Sequence, residues 1–244
     1  PTPGRMVLAH FYGPQPAAFS NAASDYYETG YLPINGESGA HAAFGGLLRD
    51  RPLTSAPWPT TPVSWQRNMM FDEITAAKQA GLDGFYVNIM GSSGSNWDRY
   101  VYVADEASAN FPGFKVVPMV DANGNMAQTE STAVAAARIN TFLSKACAWR
   151  LSDGRYVVGT FKMEGRPLSY WNEVQSLLQS THGKNTAFVG VFNNINQATN
   201  YSSVQWGAGQ WGPGADPNIW NNMTNHGTAI KGRGEKYLVP VWAQ

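Results

Sequence analysis

Seven short runs of apolar residues alternate with polar and amphipathic segments along this chain. The runs cover residues 6–11, 84–90, 115–121, 156–163, 187–192, 203–206 and 236–242. Most of them are apolar without a break, which is typical of parallel strands whose two faces are both covered. We predict that the seven runs form one parallel sheet.

Apolar residues recur at helical spacing in three of the intervening segments, and we predict helices there. The predicted helices cover residues 64–81, 135–149 and 171–178. Cys147 falls within the second helix and is expected to be an inert core residue. The first helix has a serine before it and a glycine at its end, which are common residues at helix termini.

Alternating strands and helices predict an α/β fold with right-handed crossovers, either an open doubly wound sheet or an eight-stranded barrel. No glycine-rich phosphate loop follows the first strand, and GxxxxGK[ST] does not occur, so nucleotide binding loses its main support. The sequence therefore favours a (β/α)8 TIM-barrel-like fold, with residues 1–244 as a single barrel domain. About seven of its eight parallel strands would lie in this chain.

A long segment without periodicity, residues 12–63, separates the first two predicted strands. Loops of that length are uncommon in compact domains and are usually functional or disordered. This one contains many aromatic residues, which are rare in disordered linkers. We therefore expect an ordered loop that covers the mouth of the barrel.

Charge and composition narrow the class of partner. Lys plus Arg and Asp plus Glu both number 17, so the formal net charge is zero. This balance argues against nucleic acid or an anionic membrane as the main partner. Charged residues make up 14% and aromatic residues 13% of the chain, with nine Trp. Such a composition is common in secreted proteins that handle neutral polymers, and we expect a secreted, extracellular protein.

Two carboxylates stand out by position, because only Asp121 and Glu164 follow the carboxyl ends of predicted strands. In a barrel these ends meet at one rim, where active sites lie. Two carboxyl groups, one protonated and one ionised, are what glycosidic cleavage requires. The alternative is structural: Asp121 would cap the next helix, and Glu164 would pair with Arg166.

Residues suited to binding sugar also lie at or near predicted strand ends. Aromatic faces can stack on the apolar face of a pyranose ring, and polar side chains can bond its hydroxyl groups. The candidate substrate-binding residues are His10, Tyr12, Asn88, Trp206, Trp211 and Trp242. The alternatives are a structural histidine and core packing of the tryptophans. Metal-ligand spacing of His or Cys is absent from the sequence, so we expect no metal and no cofactor.

Several segments resemble glycoside hydrolase family 71, the α-1,3-glucanases or mutanases. Residues 5–11 (RMVLAHF) resemble its opening strand, and residues 80–89 (AGLDGFYVNI) resemble its second signature. Residues 116–121, 157–165 and 237–241 are similar to three later strands of the family. The resemblance implies a (β/α)8 barrel, secretion, and inverting hydrolysis of α-1,3-glucan.

The family also has an acidic segment on its last strand, which this sequence lacks. The resemblance therefore implies that the chain stops before that strand and that the acid and base lie beyond it. We expect residues 1–244 alone to bind α-glucan without cleaving it. The chain would need its missing C-terminal segment, or would self-associate through an open sheet edge.

The predicted function is that of a glycoside hydrolase of the endo-α-1,3-glucanase type. A non-catalytic glycan-binding barrel is the alternative. A barrel enzyme acting on a small molecule is a third possibility, which the long aromatic loop and the lack of phosphate motifs disfavour.

Overall fold

The computed structural model describes residues 6–11, 39, 42–44, 65–211 and 218–239. Seven parallel strands run through these residues, and each pairs with the next one in the chain, in the order β1 to β7. This arrangement confirms the predicted parallel, TIM-barrel-like α/β fold. The strands are β1 Leu8–Phe11, β2 Gly84–Ile89, β3 Lys115–Asp121, β4 Tyr156–Phe161, β5 Thr186–Phe192, β6 Gln205–Gln210 and β7 Lys236–Leu238.

Six α-helices lie between the strands in the described parts of the chain. They are α1 Trp65–Gln79, α2 Gly94–Asn110, α3 Asn125–Thr129, α4 Thr132–Leu143, α5 Leu168–Ser180 and α6 Ile219–Gly232. Short 3-10 helices follow β4 at Met163–Gly165 and β5 at Ile195–Tyr201. The three predicted helices correspond to α1, α4 and α5. Apart from Gly39 and Ala42–Phe44, the predicted loop 12–63 lies outside the described residues.

The sixth strand differs from its prediction. It was expected at residues 203–206, but it covers Gln205–Gln210 and passes through two glycines. A Cβ on Gly207 or Gly209 would lie 2.7 or 2.5 Å from a backbone oxygen of β7. These glycines therefore belong inside the strand, where the neighbouring backbone leaves no room for a side chain.

The second predicted helix also ends earlier than expected. Helix α4 stops at Leu143, so Cys147 lies in the turn after it and not within it. The thiol is nevertheless buried, and its Sγ donates to the carbonyl oxygen of Ala104 at 3.3 Å. Burial raises the pKa of Cys147, which agrees with an inert core thiol.

The sheet curls strongly, so that its first and sixth strands come together. The ring centroids of His10 in β1 and Trp211, just after β6, are 4.7 Å apart. In a flat sheet these strands would be separated by five strand spacings, roughly 24 Å. The curl encloses a small apolar cluster, while a larger cluster fills the space between strands and helices.

Tyr86 fills part of the enclosed space next to Gly159, two strands away. A Cβ on Gly159 would lie 2.6 Å from the Tyr86 ring. Both residues are buried, and the ring packs with Val117, Met119 and other residues of the inner cluster. A glycine in β4 thus makes room for a large side chain from β2.

We predict that Gly159→Ala lowers the free energy of unfolding by about 1 to 3 kcal/mol, because the added methyl group overpacks the interior. The midpoint of denaturant unfolding measures the change. Gly232→Ala is the matched control, since a Cβ at this last residue of α6 would meet nothing within 4 Å. The control should be neutral or slightly stabilising. Equal midpoints for the two variants would contradict the packing argument.

Candidate functional site

A row of three polar side chains crosses the first three strands at their carboxyl ends. His10 and Asn88 are each the last residue but one of β1 and β2, and Asp121 is the last residue of β3. Asn88 is fully buried and Asp121 is 5% exposed. The structure thus brings together three residues that were selected because they lie at the ends of predicted strands. We refer to His10, Asn88 and Asp121 as the His10 row.

Hydrogen bonds fix the Asp121 carboxylate in the His10 row. The Asn88 side-chain Nδ2 donates to Asp121 Oδ2 at 3.2 Å, and the backbone N–H of Asn123 donates to Oδ1 at 2.9 Å. The second bond organises the turn after β3. Asp121 does not cap the next helix, because α3 has Gly124 at its N-cap and no side-chain capping bond. The carboxylate is therefore oriented from both sides, while each oxygen keeps further lone pairs for a ligand.

His10 is surrounded by aromatic rings at the other end of the row. Its ring lies 4.7 Å from Trp211 and 5.9 Å from Phe161, and the latter two rings are 5.2 Å apart. Burial lowers the pKa of His10 from 6.5 to about 4, although the Asn88 amide and the Asp121 charge favour the protonated ring. A neutral imidazole at physiological pH can donate through one nitrogen and accept through the other.

Glu164 lies on the same rim, but its carboxylate is engaged elsewhere. Its Oε1 accepts from the backbone N–H groups of Asn193 and Asn194, at 2.8 and 3.0 Å, in the loop after β5. Within residues 65–211 it forms no ion pair with Arg166, whose guanidinium instead lies over the Tyr170 ring. Glu164 therefore anchors the β5 loop, and among the described residues no hydrogen bond or ion pair joins it to the His10 row.

The predicted tryptophans have three different outcomes. Trp211 lies beside His10, as expected for a residue just past a strand end. Trp206 is the second residue of β6, so it lies at the amino end of the strand and not at the rim that carries the His10 row. The error came from ending the sixth strand at the glycines. Tyr12 and Trp242 lie outside the described residues.

Two further aromatic residues lie at this rim and were not predicted as site residues. Phe161 is the last residue of β4 and contacts His10 and Trp211, so the strand-end rule would have found it. Trp220 lies in the first turn of α6 and is 78% exposed. A helix that follows β6 begins at the rim where β6 ends. The position of Trp220 at the start of such a helix could therefore have identified it from the sequence.

Within the described ranges, no group of three or more His, Cys, Asp or Glu side chains could hold a metal ion. Over the same ranges, no helix is long and apolar enough to cross a membrane.

The His10 row offers a carboxylate, an amide and a neutral imidazole beside flat rings, a set that can bond hydroxyl groups and stack on a sugar.

Comparisons with known proteins support the fold. No protein-family profile and no curated protein sequence matches the chain. Two structures of the GH99 endo-alpha-mannosidase from Bacteroides thetaiotaomicron, one with BIS-TRIS-propane, are similar with TM-scores of 0.56 and 0.57 at 11% identity. Each match covers 71% of this chain and 52% or 56% of the mannosidase.

The chain thus spans about half the length of the mannosidase chains it matches. The likeness is to a GH99 barrel and gives no specific support to family 71. At 11% identity it supports the barrel-like fold alone.

We predict that His10 titrates with a midpoint near pH 4, measured from its imidazole NMR signals and assigned by their loss in His10→Gln. Asp121→Asn should lower the midpoint further, because the Asp121 charge favours the protonated ring. A midpoint near 6.5 in the folded chain would show that the ring is not desolvated.

The same shift links His10 to stability. Between pH 6.5 and 4 the unfolded chain binds more protons at His10 than the folded chain, so the free energy of unfolding falls as the pH falls. In His10→Gln this contribution is absent, and the fall should be shallower than in the wild type. The free energy of unfolding is measured by chemical denaturation at pH 4 and pH 6.5. An equal change between the two pH values in the wild type and in His10→Gln would contradict the linkage.

Proposed function

We propose that this chain is a carbohydrate-active barrel of the glycoside hydrolase type, and that it acts on a neutral, α-linked polysaccharide. The observation that carries the proposal is the His10 row beside Trp211 and Phe161 at the carboxyl ends of the strands. Ligand sites of parallel barrels lie at this rim. Zero formal charge and abundant aromatic residues favour a neutral substrate over a charged one.

The sequence resemblance and the fold likeness both favour an α-linked substrate. The segments 5–11 and 80–89 resemble α-1,3-glucanases, and the structural neighbours are named endo-alpha-mannosidases. We propose α-1,3-glucan as the substrate, internal cleavage, and inversion at the anomeric carbon. The protein would work outside the cell, without a metal or cofactor, because inverting hydrolysis needs two carboxyl groups and a water molecule.

The residues would divide the work as follows. Asp121 would lie next to the sugar and act as the base that activates water, with Asn88 orienting it. The acid that protonates the leaving oxygen would be a second carboxyl group, which the His10 row does not contain. His10, as a neutral imidazole, would bond sugar hydroxyl groups, and Trp211 would stack on a sugar ring. Glu164 would support catalysis indirectly by holding the β5 loop.

A non-catalytic glycan-binding barrel is the second candidate. It is favoured by the fact that both Asp121 oxygens and Glu164 Oε1 already accept hydrogen bonds from the protein. Such engaged carboxylates suit rigid recognition of hydroxyl groups as well as proton transfer. Binding of glucan without release of reducing ends would support this candidate.

In a form of the protein that cleaves insoluble α-1,3-glucan, we predict that Asp121→Asn lowers the hydrolysis by about 10²- to 10⁴-fold, the range for loss of a general base. If residues 1–244 alone only bind the glucan, the comparison is made in a longer form of the chain. Pull-down of the chain on the glucan should change little, since the amide keeps the size of the carboxylate. Reducing-end release and pull-down are measured on the same samples, with α-mannan as a second polymer. Asp98→Asn, an exposed position on α2, is the matched control and should behave as wild type.

The variant Glu164→Gln tests whether Glu164 stabilises the β5 loop or takes part directly in the reaction. It should lower the free energy of unfolding by about 1 kcal/mol, because two hydrogen bonds to a half-buried carboxylate are weakened. Its hydrolysis should fall less than that of Asp121→Asn. Unchanged hydrolysis in Asp121→Asn would overturn the assignment of Asp121 as the base. A larger loss of hydrolysis in Glu164→Gln than in Asp121→Asn would make Glu164 the base and Asp121 the supporting residue.

A further inference from the structure

A polar cavity outside the His10 row lies between the segments that follow β3 and β4. It has a volume of about 350 Å³ and includes Glu130, Thr132, Arg166, Ser169, Tyr170 and Glu173 in its lining. Glu130 follows directly after α3 as its C-cap residue, and Tyr170 lies in the first turn of α5. Both segments start from the carboxyl ends of their strands, so the cavity is on the same rim as the His10 row.

Three of the residues that line the cavity each have a buried polar atom without a hydrogen-bond partner in the described part of the chain. The atoms are Glu130 Oε2, Arg166 Nε and the Tyr170 hydroxyl. Tyr170 as a whole is 5% exposed. Buried polar groups in folded proteins are nearly always bonded, and leaving one unsatisfied costs free energy. Three such atoms, in residues that line one cavity, favour a ligand that supplies the missing partners.

The remaining contacts hold these groups in place. The Ser92 hydroxyl donates to the other oxygen of Glu130, and the Arg166 guanidinium carbon lies 4.6 Å from the centre of the Tyr170 ring. Burial raises the pKa of Tyr170 to about 12, so its hydroxyl keeps its proton and can donate. The three groups are thus preorganised as one acceptor and two donors.

The charges define the class of ligand. Glu130 and Glu173 oppose an anion, while Arg166 opposes a cation, so a neutral ligand fits best. Hydroxyl groups both donate and accept, which suits an acceptor placed beside two donors. The volume is at the small end of the range for small-molecule pockets, about 300 to 1,000 Å³. These properties match a single sugar ring.

We propose that the Glu130–Tyr170 cavity binds one neutral sugar unit, as a second carbohydrate site separate from the His10 row. The proposal deepens the proposed function and rests on the chain being a carbohydrate-active protein. A second site on the same rim would hold a polysaccharide strand, or a branch of it, while the His10 row engages another part.

The test is a titration of the chain with D-glucose and with D-mannose, followed by the NMR signal of the Arg166 Nε–H group. We expect this signal to shift with at least one of the sugars. In Tyr170→Phe, which removes only the hydroxyl, the apparent Kd should rise about fivefold or more, as for loss of one hydrogen bond. Tyr156→Phe, at the amino end of β4, is the matched control and should bind as wild type.

A second readout separates a binding hydroxyl from a structural one. Because the Tyr170 hydroxyl has no partner among the described residues, Tyr170→Phe should be as stable as the wild type, or more stable, in the absence of sugar. A structural hydroxyl would instead lower the unfolding midpoint when removed. Should Tyr170→Phe fail to fold, Ser169→Phe, at an exposed position of the cavity wall, should block the sugar instead.

Three results would overturn the proposal. They are an Arg166 signal that neither sugar shifts, equal Kd values for wild type and Tyr170→Phe, and tighter binding of inorganic phosphate than of either sugar. Asp121→Asn distinguishes this proposal from the proposed function. It should lose hydrolysis but keep the Arg166 shift, so each proposal can fail while the other stands.

Discussion

The curl of the seven-stranded sheet is the constraint on which the site depends. It brings the ring of His10 against Trp211, although five strand spacings separate their strands along the sheet. The curl is possible because side chains inside it are matched in size across strands, with Gly159 facing Tyr86. A flatter sheet would leave His10, Asn88 and Asp121 side by side on an open surface, without the ring of Trp211 next to them.

Burial then determines how the polar row behaves. Asn88 has no access to water, so its side-chain Nδ2 group must find an acceptor within the protein, and Asp121 provides it. The same desolvation keeps His10 uncharged well below neutral pH, even with a carboxylate nearby. The row therefore presents fixed, mostly neutral hydrogen-bonding groups, which suit recognition of hydroxyl groups more than attraction of charged molecules. The lining of the Glu130–Tyr170 cavity also combines hydrogen-bonding groups with charges of both signs, from two carboxylates and one guanidinium.

Much of the fold could be predicted from the sequence, because buried parallel strands are continuous apolar runs and their ends meet at one rim. That logic placed His10, Asn88, Asp121 and Trp211 correctly relative to one another. It failed for Trp206, because the glycines of β6 resemble a loop in sequence while close backbone packing explains them in space. The hydrogen bonds of Glu164 to the β5 loop could not be predicted either. Their donors are backbone N–H groups, which do not depend on residue type.

The two glycines of β6 have a consequence for how this barrel can diversify. Gly207 and Gly209 lie so close to the backbone of β7 that neither position can accept a side chain without moving that strand. The sixth strand is therefore closed to new functional groups at these positions, however useful a carboxylate there would be. Evolution or protein engineering must therefore add chemistry beyond the carboxyl end of the strand, at positions such as Trp211.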